Sequence, residues 1–129
     1  MYKRQGVAYG DTVAGVDAAY LAQVTRLNVV VLASLANAPA PPSPASVAGA
    51  VSADTTLKWT PVAGAAGYRG WWRDTSAPRW QYSRLVPEAT AGSMVLESTV
   101  VDDWFFGVSA LSSDGYESPV VFAGPAGAF

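Results

Sequence analysis

The 129-residue chain contains neither cysteine nor histidine, and these two absences exclude several kinds of chemistry. Without thiolate or imidazole ligands, the usual zinc sites of proteins cannot form within the chain. A serine nucleophile would have no histidine to activate it, and a cysteine nucleophile does not exist. The lack of cysteine leaves the cellular compartment open. We therefore expect no catalytic residue, cofactor site or metal site in this chain.

Charged residues are sparse as well, at 14% of the chain with a formal net charge of -2. A nucleic-acid-binding protein needs a concentrated basic face. Four arginines do lie close together between residues 69 and 84, but Asp74 lies among them and Glu88 soon follows. Such mixed charges are typical of solvated strand edges, so we expect no nucleic-acid partner.

The first long apolar stretch has the period of a helix. Asp17 stands where an N-cap residue is expected, and apolar side chains recur every three or four residues over 20–35. The pattern predicts a helix over about residues 17–37, followed closely by proline. Over 29–32 the helix is apolar nearly all round, so we expect another protein surface to cover it.

Two other interpretations of this helix have to be considered. Its uninterrupted apolar run is far shorter than the roughly 20 residues that a transmembrane helix needs. Arg26, which precedes the apolar run, and the small residues of 36–38 resemble a signal peptide and its cleavage site. The helical phase already begins before Arg26, however, which favours a structural helix that packs on protein, without a membrane span.

A proline-rich linker is predicted at residues 39–45, and the pattern then changes. From residue 46 to residue 129, short alternating runs are separated by turn signals. This pattern is typical of a mainly β, seven-stranded fibronectin type III-like or immunoglobulin-like sandwich. The seven runs are SVAGAVS, TTLKWTPV, GYRGWWRDT, RWQYSRL, SMVLEST, DDWFFGVSAL and SPVVF.

A candidate binding surface consists of four residues: Trp71, Arg73, Trp80 and Tyr82. If Tyr68 and Trp72 face the core, strand alternation turns Trp71 outward, and Arg73 lies on the same side. Aromatic residues with arginine are favoured in binding patches. The favoured alternative is that Trp71 and Trp80 cover each other or pack on a neighbouring domain.

Three motifs carry a resemblance to a known domain: LKW at 57–59, GYRGWWR at 67–73 and FFGVSALSSDGYESP at 105–119. Together they resemble a fibronectin type III domain over residues 56–122. The resemblance implies a buried Trp59 and a turn ending in Gly-x-Glu-Ser. It also implies that Trp104 stands where the family usually has a corner tyrosine, whose hydrogen bond an indole cannot reproduce.

The stretch DTVAGVDAAYLAQVTRLNVVVLASLANAPAPP at 11–42, followed by WWRDTSAPRW at 71–80, carries a narrower resemblance. In this order the two resemble the last helix, proline-rich joint and fibronectin-like domain of bacterial zinc aminopeptidases of metallopeptidase family 28. The resemblance implies that residues 1–38 are the tail of a catalytic domain. It also implies a zinc-dependent hydrolase as the parent protein, in the periplasm or secreted.

Two functions follow as expectations. The first is a non-catalytic accessory module that braces the catalytic domain or assists substrate access. The second is a self-contained carbohydrate- or protein-binding adhesion module that uses the exposed aromatic residues. The expected partners are the catalytic domain of the same polypeptide and, through the helix, a second copy of the chain.

Overall fold

The computed structural model of the protein describes residues 2–4, 7–9, 13–49 and 51–125. It divides into two compact units, Met1–Ala33 and Ser34–Phe129. Residues 11 and 12, which open the stretch compared above with a peptidase helix, lie outside the described residues. Residues 126–129, the end of the predicted sandwich domain, do so as well.

The first unit begins with a short hairpin that the sequence did not predict. Strand β1 (Tyr2–Arg4) pairs antiparallel with β2 (Val7–Tyr9). Strands of three residues are too short to show an alternating pattern, which explains the omission. A single 3-10 turn follows at Val13–Gly15.

The predicted helix is present as α1 (Ala18–Asn37). Its N-cap is Asp17, as expected, because one carboxylate oxygen accepts hydrogen bonds from the backbone amides of Ala19 at 2.9 Å and Tyr20 at 3.0 Å. These bonds satisfy two of the amide groups that the first turn of a helix leaves unpaired. Local sequence therefore determines where the helix starts.

The side chains of α1 are largely exposed, and none of its residues is buried. By length and composition alone this 20-residue helix could cross a membrane. Buried core helices and signal sequences meet the same criteria, so a single such helix near the N-terminus is weak support for a span. The absence of a membrane span therefore stays a prediction.

The second unit is a sandwich of two four-stranded sheets. Its strands are β3 (Ala45–Ala48), β4 (Thr55–Trp59), β5 (Gly67–Asp74), β6 (Tyr82–Val86), β7 (Ser93–Leu96), β8 (Trp104–Leu111), β9 (Val121–Phe122) and β10 (Gly124–Pro125). The sheet orders are β10-β3-β4-β7 and β6-β5-β8-β9. The predicted mainly β sandwich preceded by one helix is confirmed. The seventh predicted run, SPVVF at 118–122, contains β9, and an eighth strand that was not predicted, β10, follows it and joins the other sheet.

The core lies between the two sheets and centres on Trp59 and Tyr68. Both are buried, and their ring centroids lie 5.3 Å apart. Gly70 makes room for the opposite sheet, since a Cβ there would lie 2.1 Å from Cε of Met94. Close packing of this kind leaves no space for an additional side chain.

The hydroxyl of Tyr68 connects two loops through the core. It accepts a hydrogen bond from the backbone amide of Val62 at 2.8 Å and donates one to the carbonyl of Ala89 at 3.2 Å. Trp104, at the position expected for the corner tyrosine, instead lies edge-on to Tyr82 with ring centroids 5.7 Å apart. In this sandwich, the hydroxyl of Tyr68 on β5 therefore connects the two loop backbones by hydrogen bonds.

We predict that Tyr68→Phe lowers the free energy of unfolding by about 1–3 kcal/mol, because it leaves the Val62 amide and the Ala89 carbonyl without this partner. Urea unfolding followed by tryptophan fluorescence measures the change. Tyr116→Phe, at an exposed tyrosine, is the matched control and should shift the midpoint far less. Equal midpoints for the wild type and Tyr68→Phe would contradict the role given to this hydroxyl.

Candidate functional site

Strand β5 has two faces with different compositions. Tyr68, Gly70 and Trp72 face the core, as their burial and contacts with the core cluster show. Alternation turns Arg69, Trp71 and Arg73 to the opposite side of the sheet. We call the side of β6-β5-β8-β9 that points away from the core the outer face; it comprises Gly67, Arg69, Trp71, Arg73, Ser83, Leu85, Phe105, Gly107, Ser109, Leu111 and Phe122.

Tyr82 does not lie on the outer face, so the four candidate residues do not form one surface. Tyr82 pairs directly with Trp72 across β6 and β5, and the two rings stack with centroids 5.8 Å apart. Side chains of directly paired residues lie on the same side of a sheet. The candidate surface is therefore reduced to Trp71, Arg73 and Trp80.

Trp71 is held in place by a polar network in the middle of the outer face. Its indole nitrogen donates a hydrogen bond to Oγ of Ser109 at 2.8 Å, and this hydroxyl donates to the carboxylate of Glu117 at 2.5 Å. The guanidinium of Arg69 lies 5.4 Å from the Trp71 ring centroid, and its Nε lies 3.7 Å from Glu117. The glutamate of the Gly-x-Glu-Ser turn thus orients the indole.

Arg73 lies among three aromatic rings at the end of the outer face where strand β5 ends. The centre of its guanidinium is 4.7 Å from the ring centroid of Phe105, 5.8 Å from that of Trp80 and 5.9 Å from that of Phe122. We call these four residues the Arg73 cluster. The guanidinium also donates to the carbonyl of Ala77. Within the described part of the chain, Arg73 forms no salt bridge with a carboxylate.

Trp80 reaches the outer face because Gly107 has no side chain. A Cβ on Gly107 would lie 2.9 Å from Cη2 of Trp80, 2.6 Å from Cγ1 of Val120 and 3.0 Å from the carbonyl oxygen of Val121. The ring of Trp80 then packs on Phe122, with centroids 4.9 Å apart. The indole thus crosses from the loop after β5 to lie over β8 and β9.

The loop at 75–81, which carries Trp80, is held by Asp74. A carboxylate oxygen of Asp74 accepts hydrogen bonds from the amide of Ser76 at 2.8 Å and from its hydroxyl at 2.6 Å. The amide of Asp74 donates to the side-chain carbonyl of Gln81 at 2.8 Å. The bonds from Ser76 stabilise the ionised carboxylate and lower the pKa of Asp74.

Sequence reasoning missed Phe105, Gly107 and Phe122 as parts of this surface. Alternation along β8 does place Phe105 and Gly107 on one face, but only the strand register brings them next to Arg73 and Trp71. Among the residues that the structure describes, no group of three or more acidic, histidine or cysteine side chains is placed to hold a metal ion.

The chain is similar in sequence to known proteins that are much longer than it is. No protein-family model matches the chain. It is 32% identical over 126 residues to a "Probable zinc metalloprotease" of Pyricularia oryzae, covering 93% of this chain and 24% of that protein. A protein of the same name from Pyrenophora tritici-repentis is 32% identical over 123 residues, and the match covers 93% of this chain and 25% of that protein. The chain spans about a quarter of the length of these curated relatives.

Solved structures establish the fold. The fn3 domain of the human collagen alpha-1(XX) chain superimposes with a TM-score of 0.55 at 23% identity, covering 71% of this chain and 92% of that one. A Fn3-like protein from Clostridium thermocellum superimposes with a TM-score of 0.56 at 21% identity, and the match covers 71% of this chain and 99% of that one. The sandwich therefore resembles fibronectin type III domains.

We predict that Gly107→Ala destabilises the sandwich, because the added methyl group needs the space of Trp80 and Val120. Overpacking of this kind costs about 1–3 kcal/mol in the free energy of unfolding. Urea unfolding measures the loss, and iodide quenching of tryptophan fluorescence should increase as Trp80 is displaced. Gly124→Ala is the matched control, since a Cβ there meets nothing within 4 Å. An unchanged midpoint for Gly107→Ala would contradict the packing described.

We predict that Ser76→Ala raises the pKa of Asp74 towards its ordinary value, because both the hydroxyl bond and the ordered turn are weakened. Carboxyl-carbon NMR titration measures this pKa. A lowered pKa adds stability that is complete above the ordinary aspartate pKa and is lost as the pH falls through the lowered value. Ser113→Ala is the control and should leave the pKa of Asp74 unchanged. An unchanged pKa of Asp74 in Ser76→Ala would contradict the assigned cause.

Proposed function

We propose that this chain is a non-catalytic accessory module of a zinc-dependent aminopeptidase similar to metallopeptidase family 28. The carrying observation is the 32% identity over 93% of the chain with proteins named as probable zinc metalloproteases, of which the chain spans about a quarter. In the proposal, the remaining part of such a protein holds the zinc ions and the peptidase chemistry. The lack of histidine and cysteine in this chain agrees with that division.

Helix α1 supplies the proposed contact with the catalytic domain. Its exposed apolar side chains include Leu27, Val29, Val30 and Leu32. Burying a side chain of this type contributes about 1.5–3 kcal/mol, so covering several of them would stabilise a domain contact substantially. Residues 1–38 are accordingly the tail of the catalytic domain, and residues 39–45 are the joint.

The joint suits a bracing role. Pro42, which belongs to the second unit, is fully buried, and β3 begins at Ala45. A proline-rich segment is semi-rigid, and its end is fixed to the sandwich here. Such a connection restricts how far the sandwich can turn relative to the domain before it, as required of a module that braces a catalytic domain or assists substrate access.

The proposed setting follows from the same resemblance. The partner is the catalytic domain of the same polypeptide, and in its absence a second copy of the chain would cover α1. The compartment is the periplasm or the extracellular space, where a secreted zinc aminopeptidase would act. No nucleic acid and no membrane span enter the proposal.

The accessory role is favoured over a carbohydrate-binding adhesion module by the packing of the aromatic rings. A stacking platform for sugars needs ring faces that are free. Trp71 is covered by Arg69, Trp80 lies against Gly107, Phe122 and Arg73, and Tyr82 stacks on Trp72 on the opposite side of the sheet. The rings are therefore engaged with protein groups.

We predict that the isolated 129-residue chain neither binds zinc stoichiometrically nor hydrolyses aminoacyl-para-nitroanilides. The longer gene product should do both and lose hydrolysis when its zinc is removed by a chelator. Isothermal titration calorimetry and the chromogenic assay measure the two properties. Stoichiometric zinc uptake by the isolated chain, or a zinc-loaded longer product without aminopeptidase activity, would overturn the proposal.

A further inference from the structure

We infer that the outer face of β6-β5-β8-β9 is a second docking surface for the catalytic domain, and that it receives an apolar surface with a carboxylate opposite Arg73. This inference rests on the proposed function for the identity of its occupant. It concerns a part of the chain separate from α1, and its residues all belong to the sandwich unit.

The outer face exposes large apolar side chains at both of its ends. Leu85 is 55% exposed, Phe105 43% and Phe122 57%. They accompany Trp71, Trp80 and two arginines, the residue types that are enriched in protein interfaces. On the outward side of the opposite sheet, the described residues Ser46, Lys58 and Ser93 are polar, and Val95 is the one large exposed apolar side chain among the strand residues described there.

A shallow pocket lies at the end of the face remote from Arg73. Its volume is about 190 Å³, and it is lined by Ala66, Gly67, Leu85, Pro87, Leu111 and Ser112. The pocket is mostly apolar, so it suits an aliphatic side chain of a partner. Gly67 and Arg73 are six positions apart on β5, which corresponds to about 20 Å at roughly 3.3 Å per residue. The partner surface must therefore present an aliphatic group and a carboxylate about 20 Å apart.

The carboxylate is inferred from the surroundings of Arg73. Its guanidinium is half-buried among three aromatic rings. None of the described carboxylates lies within salt-bridge distance of it, and the neighbouring carboxylate of Asp74, which is hydrogen-bonded to Ser76, interacts with it only at longer range. Arg69, by contrast, already has Glu117 beside it. Rings and carbonyl oxygens offset only part of the cost of removing a cation from water, and an acidic side chain from outside would offset more.

The size of the face indicates a tethered partner. Four strands about 4.8 Å apart and about 20 Å long give the outer face an area of roughly 300–400 Å². A contact that covers this face would bury about 600–800 Å², counting the surfaces of both partners. Contacts between domains of one chain start at about 600 Å². Free partners usually need about 1,200 Å² or more. The relatives, about four times as long as this chain, would supply such a domain.

Hydroxyl-radical footprinting of the isolated chain and the longer gene product tests the inference. We expect Leu85, Phe105 and Phe122 to react at least threefold more slowly in the longer protein. Val95 is the matched control, because it is 48% exposed on the outward side of the other sheet and should react equally in both. Unchanged rates at all three outer-face residues would overturn the inference.

The carboxylate is tested with Arg73→Glu in the longer protein. This change should return the reactivity of Phe105 and Phe122 to that of the isolated chain. Lys58→Glu makes the same charge change at an exposed site on β4 and should leave the protection intact. If Arg73→Glu does not fold, Leu85→Asp at the pocket end gives the same test of the surface. Full protection in a folded Arg73→Glu protein would overturn the assigned carboxylate.

The same experiment separates this inference from the proposed function. Slower reaction at Tyr20 and Leu32 reports that α1 is covered. If α1 is protected and the outer face is not, the second docking surface is overturned while the accessory role stands. If the outer face is protected but the zinc-loaded longer protein has no aminopeptidase activity, the occupant named here is overturned.

Discussion

The two-residue alternation of β5 is the constraint on which the rest of the sandwich depends. Burying Tyr68 and Trp72 forces Arg69, Trp71 and Arg73 to the other side of the same strand. A slip of one residue would place the arginines in the core and the tyrosine in water, so the register is strongly specified. Pairing with β8 then brings Phe105 opposite Arg73, and Gly107 opposite Trp71. The composition of the outer face is thus a consequence of how the core packs.

Two glycines allow close approach on the two sides of this sheet. Gly70 admits Met94 from the opposite sheet, and Gly107 admits Trp80 from the loop at 75–81. The two positions lie next to each other, because Gly70 pairs with Val108 and Gly107 with Trp71. A methyl group at either site would push apart groups that pack directly on backbone. Where these two glycines adjoin, Met94 packs directly on the core side of the sheet and Trp80 packs directly on its outer face.

Local signals predicted the helix and most strands of the sandwich, whereas the composition of the outer face depends on tertiary structure. Asp17 and the apolar period determined α1, and alternation correctly turned Trp71 outward. The sequence GYRGWWRDTSAPRWQYSRL suggested that Trp80 and Tyr82 share a face. In the structure β6 starts only at Tyr82, so Trp80 belongs to a loop and alternation does not govern its direction. The register of β6 against β5 then placed Tyr82 beside Trp72, and no pattern within either strand encodes that register.

A surface that is ordered before binding loses little conformational freedom when it binds. The indole of Trp71 is held by Ser109, Arg73 by the Ala77 carbonyl, and Trp80 by its seat on Gly107. These side chains would otherwise contribute roughly 0.5–1.5 kcal/mol each to the cost of ordering an interface. In the proposed accessory module, a small contact on the outer face would therefore be sufficient, because it is already rigid and the proposed contact through α1 would keep the partner close. Tethering raises the effective concentration of the partner to about the millimolar range, so neither surface alone has to reach the area of a free complex.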